Sequence, residues 1–232
     1  MKFLYKYPQK KFPYDELREG SARRSRLERE YQLMDTGAFD DDRYWDIFIE
    51  TAKEEDDADE LLFRVTAWNR GPEPAPLHVL PHVWFRNTWA WGREPEENKP
   101  SMGLVAEGMV GTEHHKLGSQ YVLTSPSPGV GSSGKDVDPK MIFTENDTNF
   151  EKLYGGENTT PYVKDAFHRH VVEGEKGAVN PEQKGTKCAA WFEFNEEGGV
   201  LPGACAGKMS PDAVSMSLTN KTSGPVPPHA AD

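Results

Sequence analysis

Short stretches in which apolar and polar residues alternate recur along this chain, and a period of two is the mark of a half-buried strand. From the second residue onward Phe3, Tyr5 and Tyr7 alternate with Leu4 and Lys6, so the sequence opens inside a strand. Between Tyr44 and Ala52, Trp45, Ile47 and Ile49 stand against Tyr44, Asp46 and Glu50. The clearest pattern lies in residues 61–92. There Leu61, Phe63, Val65 and Ala67 alternate with Leu62, Arg64, Thr66 and Trp68, and next Leu77, Val79, Val83 and Phe85 share a face opposite His78, His82, Trp84 and Arg86. The link Asn69-Arg70-Gly71-Pro72-Glu73-Pro74 is dense in turn formers and predicts a hairpin. With the strand before it and the acidic turn Glu54 to Asp59, this makes a three-strand antiparallel meander.

Later strands are shorter: Gly103 to Val110, Gln120 to Thr124, Lys140 to Thr144 and Lys187 to Phe194. Helical composition follows Pro13, from Asp15 to Tyr31, and Tyr162 to Val172 can form a short helix with Val163, Ala166, Phe167 and His170 on one face. Ser125 to Asp138 reads as a flexible loop. The stretch from Asn146 to Thr186 is a long excursion, of the kind that is functional or disordered in a compact domain. From Pro202 onward the residues are small, polar and Pro-rich, and only Val214, Met216 and Leu218 hint at a strand. The expectation is an all-β, mainly antiparallel sandwich over residues 1–201, with one or two short helices and long loops, and a disordered or divergent tail over 202–232.

Composition narrows the function classes. A length of 232 residues suits one large all-β domain or two small ones, and 21 Gly with 18 Pro fit many turns. A net charge of −11 argues against a nucleic-acid partner, because phosphate binding needs clustered Lys and Arg. Arg18, Arg23, Arg24, Arg26 and Arg29 alternate with Glu16, Glu19, Glu28 and Glu30, the pattern of a solvated helix face. No apolar run suits a membrane helix, and MKFLYKYPQKKFPY is too interrupted for a signal peptide, so a cytoplasmic chain without a membrane partner is expected. Cys188 and Cys205 lack metal-site spacing and read as reduced thiols. Asn146, Asn158 and Asn220 match the glycosylation acceptor pattern, which means little without a secretory signal.

Candidate chemistry gathers where the 61–92 pattern ends. Sugars are held by aromatic faces over their C–H surfaces and by planar amide, carboxylate and guanidinium groups on their hydroxyls. Arg86-Asn87-Thr88-Trp89-Ala90-Trp91 supplies both kinds. The alternative is that Trp89 and Trp91 cap one end of a sandwich and Arg86 pairs with an acid; Trp68, Trp84 and Trp191 are read as packing residues. Glycoside hydrolysis needs two flanking carboxyl groups, and no pair can be chosen from 38 acids without spatial information. Glu145, Glu157 and Asp165 stand out only because they lie in the excursion. A phosphate-cradling loop, a nucleophile elbow and an HExxH motif are all lacking. His114-His115 and His168/His170 are the close histidine pairs, and the latter diverge on a helix, so neither a metal nor a cofactor is expected.

Taken together, the hairpin, WFRNTWAWG, MIFTENDTNFEKLYG and TPYVKDAFHRHVVEG resemble the N-terminal β-sandwich region of the long glucosidases related to glycoside hydrolase family 63, which includes mannosyl-oligosaccharide glucosidase. The similarity runs from Met1, through KFLYKYPQKKFPY and LMDTGAFDDDRYWDIFIE, to about Phe194. It implies a super-β-sandwich packed on a C-terminal (α/α)6 barrel carrying the catalytic acid and base, in an inverting hydrolase of α-linked glucose on oligosaccharides. Relative to that pattern the chain is truncated at both ends, and the family's catalytic carboxylates have no counterparts here. The resemblance therefore implies a sandwich that is not catalytic alone, with an oligosaccharide and a catalytic barrel as partners. Its substrate-binding candidates are Arg86, Asn87, Trp89, Trp91, Asn146, Asp165 and His168. A stand-alone carbohydrate-binding module, or an interaction domain without ligand, is the alternative.

Overall fold

A computed structural model describes residues 1–56, 59–92, 95–127 and 136–194, together with the strand Asp212–Thr219. Three strands open it as an antiparallel meander: β1 (Lys2–Pro8), β2 (Tyr44–Lys53) and β3 (Leu61–Asn69). The alternation read from the sequence sets their faces, with Trp45 and Ala67 buried on the inner side. On the outer side Lys6 Nζ lies 3.0 Å from Asp46 Oδ1 and Arg70 Nε donates to Asp46 Oδ2 at 2.7 Å. Burial opposes the charge on Asp46, but these two cations outweigh it and hold the carboxyl below its usual range.

β6 (Ser101–Ala106), β7 (Met109–His114) and β8 (Gly118–Ser125) form a second meander. The single strand expected over Gly103 to Val110 is thus two strands that turn back at Glu107-Gly108. Gly108 has φ +68°, and a Cβ there would meet the Thr124 carbonyl oxygen at 2.8 Å, so the turn requires glycine. A short strand, β10 (Lys184–Gly185), closes the far edge against β6. Between the two meanders lies β12 (Asp212–Thr219), antiparallel to both β3 and β8. The eight strands run β1-β2-β3-β12-β8-β7-β6-β10. The strand hinted at by Val214, Met216 and Leu218 is therefore formed, at the centre of the sheet; residues 202–211 and 220–232, the rest of the expected tail, lie outside the described residues.

The second, smaller sheet is built around β11 (Lys187–Phe194), which pairs with β4 (Leu77–Val79), β5 (His82–Trp84) and β9 (Lys140–Thr144). Here the expected hairpin over 61–92 is corrected. Both edges of β3 are occupied, by β2 and β12, so the next strand finds no place beside it and crosses to the other sheet. The buried Asn69 steers that crossing: its side chain accepts from Gly71 N at 2.9 Å and donates to Glu73 O at 2.7 Å. Phe143, Cys188, Phe192 and Phe194 of the small sheet pack on Trp45, Ala67, Met102, Val110 and Val122 of the large one. The molecule is an all-β, mainly antiparallel sandwich.

Helices are short. α1 (Tyr14–Ala22) ends well before the expected Tyr31. Tyr31 folds back instead, its hydroxyl donating to Glu16 Oε1 at 2.6 Å and its ring lying where a Cβ on Gly20 would stand. α2 (Phe150–Tyr154) was not anticipated; Asn149 caps it by accepting from Lys152 N at 3.0 Å. α3 (Ala166–Val172), shorter than the expected Tyr162 to Val172, lays Phe167 and Val171 on Ile142 and Ala189 of the small sheet's outer face.

Candidate functional site

At the end of β5 the chain turns inward at Phe85, which joins the core, and enters the Arg/Asn/Trp loop. The opposite wall is the start of the excursion, just after β9. Backbone and side chains stitch the two together. Asn146 Nδ2 donates to Phe85 O at 2.8 Å, and Asn87 Nδ2 donates to Asn146 O at 2.9 Å and to Asp147 Oδ1 at 2.8 Å. Trp89 Nε1 donates to the same Asp147 oxygen at 3.0 Å, while Asn87 Oδ1 accepts from Ala90 N at 3.0 Å and bends the loop. Asp147 is buried, so the two bonds it accepts from Asn87 and Trp89 are largely shielded from water.

A corner between the sheets supports this clamp. Thr186, joining β10 to β11, donates from Oγ1 to Glu145 Oε2 at 2.7 Å and accepts from Asn146 N at 2.8 Å. Lys99 Nζ stands 3.2 Å from Glu145 Oε2 and 5.8 Å from the Trp89 ring centroid. The neighbouring residue must be glycine, since a Cβ on Gly185 would run into the Thr144 carbonyl oxygen. Glu145 and Asp147 are thereby committed to holding backbone and side chains of their own chain. This is a scaffold for a surface loop, and neither carboxylate is presented as an acid or base.

The groups left facing outward are different ones. Trp84 is 55 % exposed and Trp91 63 % exposed. Arg86 is exposed, and its guanidinium makes no hydrogen bond or ion pair among the described residues. Trp84 and Arg86, on either side of the buried Phe85, are both exposed. Beside them Lys187 Nζ lies 5.9 Å from the Trp84 ring and donates to Lys164 O at 2.7 Å. Burial, then the nearby Lys164, lower the pKa of Lys187 from its ordinary value. Trp84, read from sequence as a packing residue, is corrected to a surface one; the large core tryptophan is Trp45.

Two site candidates lie apart from the loop. Asp165 precedes α3 and accepts from Asn149 Nδ2 at 3.2 Å, with Lys152 Nζ 3.4 Å away. Burial works against its charge, but the bonds from Asn149 and Lys152 keep its carboxyl below the usual range. His168 faces a separate cleft of about 590 Å³, together with Tyr7, His78, His82 and Phe167. In that cleft His82 stacks edge-on against Phe167 with centroids 5.1 Å apart. Burial, with a smaller contribution from Lys187, pushes its imidazole down to about 4. Of the seven candidates, then, Arg86, Asn87, Trp89, Trp91 and Asn146 share one locus, and Asp165 and His168 do not. Asp147, Thr186 and Lys99 were missed. Only the spacing of Glu145 and Asp147 in one short segment signals a cluster, since their partners come from distant parts of the chain.

No protein-family model matches the chain. It is similar to a protein of Saccharomyces cerevisiae, Uncharacterized protein YMR196W, at 38 % identity over 215 residues, covering 84 % of this chain and 20 % of that protein. The chain thus spans about a fifth of the length of the curated relative it matches.

Proposed function

We propose that this chain is the β-sandwich portion of a family 63-like α-glucosidase acting on oligosaccharides, and that it contributes carbohydrate contacts without carrying the catalytic groups. One observation carries the reading: Asp147 spends its bonds on Asn87 and Trp89, which fixes the loop while Arg86, Trp84 and Trp91 point outward. Preorganised indoles and a guanidinium fit the C–H faces and hydroxyls of glucosyl units, and a rigid platform spares the entropy of ordering them. The internal commitment of Glu145 and Asp147 supports a non-catalytic role. The match to one part of a much longer relative fits a module that works beside other regions.

The test is to titrate the purified chain with α-linked gluco-oligosaccharides while following Trp fluorescence and assaying release of glucose. The expected result is saturable binding without turnover, weakened about tenfold in Trp91→Ala, the scale of one lost aromatic contact. Absence of saturable binding would remove the platform reading. Robust hydrolysis would sink the non-catalytic assignment.

A further inference from the structure

Among the described residues β1 is an edge strand of the eight-stranded sheet, and it is apolar on a scale that edge strands usually avoid. Phe3 is 52 % exposed, Leu4 52 %, Tyr5 53 % and Tyr7 45 %. Register places Phe3, Tyr5 and Tyr7 opposite Ile49, Ile47 and Trp45, so these aromatics continue the core-facing side of the sheet past the part covered by the small sheet. The strand's lysines, which would ordinarily repel a neighbour, are already paired: Lys2 Nζ lies 3.2 Å from Glu50 Oε1 and Lys6 Nζ 3.0 Å from Asp46 Oδ1.

The hydrogen-bond phase of this edge can be read directly. Thr51 N donates to Met1 O at 2.8 Å and Gln9 N donates to Arg43 O at 3.0 Å, so odd-numbered residues of β1 face β2. By the alternation of an antiparallel ladder, Lys2, Leu4 and Lys6 direct N–H and C=O outward, and Pro8 directs a C=O alone. We propose that this edge pairs antiparallel with β1 of a second copy of the chain, with Tyr5 opposite Tyr5 of that copy, joining the two large sheets into one. The proposal is independent of the carbohydrate reading.

Self-complementarity chooses this register. A two-fold axis normal to the sheet keeps opposed residues on one face, so the strand centre falls at Tyr5 or at a residue of either parity beside it. With Tyr5 at the centre, the full length of Lys2–Pro8 overlaps, Phe3 faces Tyr7, Lys6 faces Leu4 and Lys2 faces Pro8. Aromatics meet aromatics on one face and no lysine meets a lysine on the other. Shifting the centre to Leu4 sets Lys2 against Lys6 twice over, a destabilising like-charge pair. Leu4 and Lys6 of the second copy exchange both backbone bonds, because both point outward.

Sedimentation equilibrium of the full chain over a concentration series tests this. A monomer–dimer equilibrium is expected. Leu4→Pro, which removes only an outward N–H, should raise the dissociation constant roughly tenfold or more while the melting curve of the dilute protein holds. Leu4→Lys, facing Lys6, should weaken the dimer about threefold to tenfold, and Leu4→Glu, facing the same lysine, should bind at least as tightly as the natural chain. Equal weakening by both charged variants would point to a Leu4-centred register and overturn the proposal. So would a dimer indifferent to all three, or a chain that stays monomeric at its highest soluble concentration, which would leave the edge to an extended segment of another polypeptide.

Discussion

Single residues in this protein are tied down by polar bonds that cross long stretches of sequence. Asp147 is the clearest: two donors from the 85–91 loop converge on one of its oxygens. Asp147→Ala leaves the Asn87 amide and the Trp89 indole without their acceptor, and it should cost about 2–3 kcal/mol of stability, read from urea unfolding. An unchanged midpoint would show that the clamp is not holding the loop. His82 gives a pH signature. Its pKa in the folded protein is about 4 against an ordinary 6.5, so as pH falls from 6.5 the unfolded chain takes up a proton that the folded chain refuses. Stability contributed by neutral His82 is present above pH 6.5 and is lost as pH falls toward 4. Allowing for partial exposure, the loss should be about 1–2 kcal/mol. Urea midpoints compared at pH 7 and about pH 4.5 should fall less in His82→Leu than in the natural chain; parallel falls would exclude His82 as the cause.

Among elements, the join between β10 and β11 decides how the sandwich closes. Gly185 sits against the Thr144 carbonyl while Thr186 bonds Glu145 and Asn146, so the chain passes from one sheet to the other within two residues. Gly185→Ala must push two backbones apart and should destabilise by about 2–3 kcal/mol, measured by thermal or urea unfolding. An alanine tolerated at no cost would mean that the contact relaxes freely. Several elements were legible in the sequence: β1, β2 and β3 lie where the period of two places them, and β9 and β11 coincide with the short strands expected over Lys140 to Thr144 and Lys187 to Phe194. Helix ends were not. Helix-forming composition continues to Tyr31, and what stops α1 is the return of Tyr31 onto Gly20 and Glu16, a contact that no local propensity contains.

On the scale of the whole molecule, β12 makes the two meanders into one sheet. It pairs along Leu61–Ala67 on one side and Tyr121–Ser125 on the other. A chain ended at residue 201 would lose both ladders and bare two interior edges. We expect it to lose cooperative unfolding and to aggregate, as followed by circular dichroism and light scattering. A cooperative, soluble 1–201 fragment would show that the meanders hold together without that strand. No helix among the described residues is long and apolar enough to cross a membrane.

By itself the sequence determined local facts: that β1, β2, β3, β9 and β11 are strands, which side of the first three faces inward, and that Arg86, Asn87, Trp89 and Trp91 form one chemically rich loop. These follow from nearest-neighbour sterics and from the apolar period, both written within a few residues. Tertiary structure alone decided the pairing. The strand after β3 crosses to the other sheet because β3 is already flanked by β2 and β12, and that second flank comes from a segment well over a hundred positions away. It also decided the fate of the site residues: Asn87 and Trp89 turn inward to Asp147, whereas Trp84 and Arg86 remain outside. Hydrogen-bond partners and sheet edges are filled by whichever groups arrive in space, and spacing along the chain does not record that.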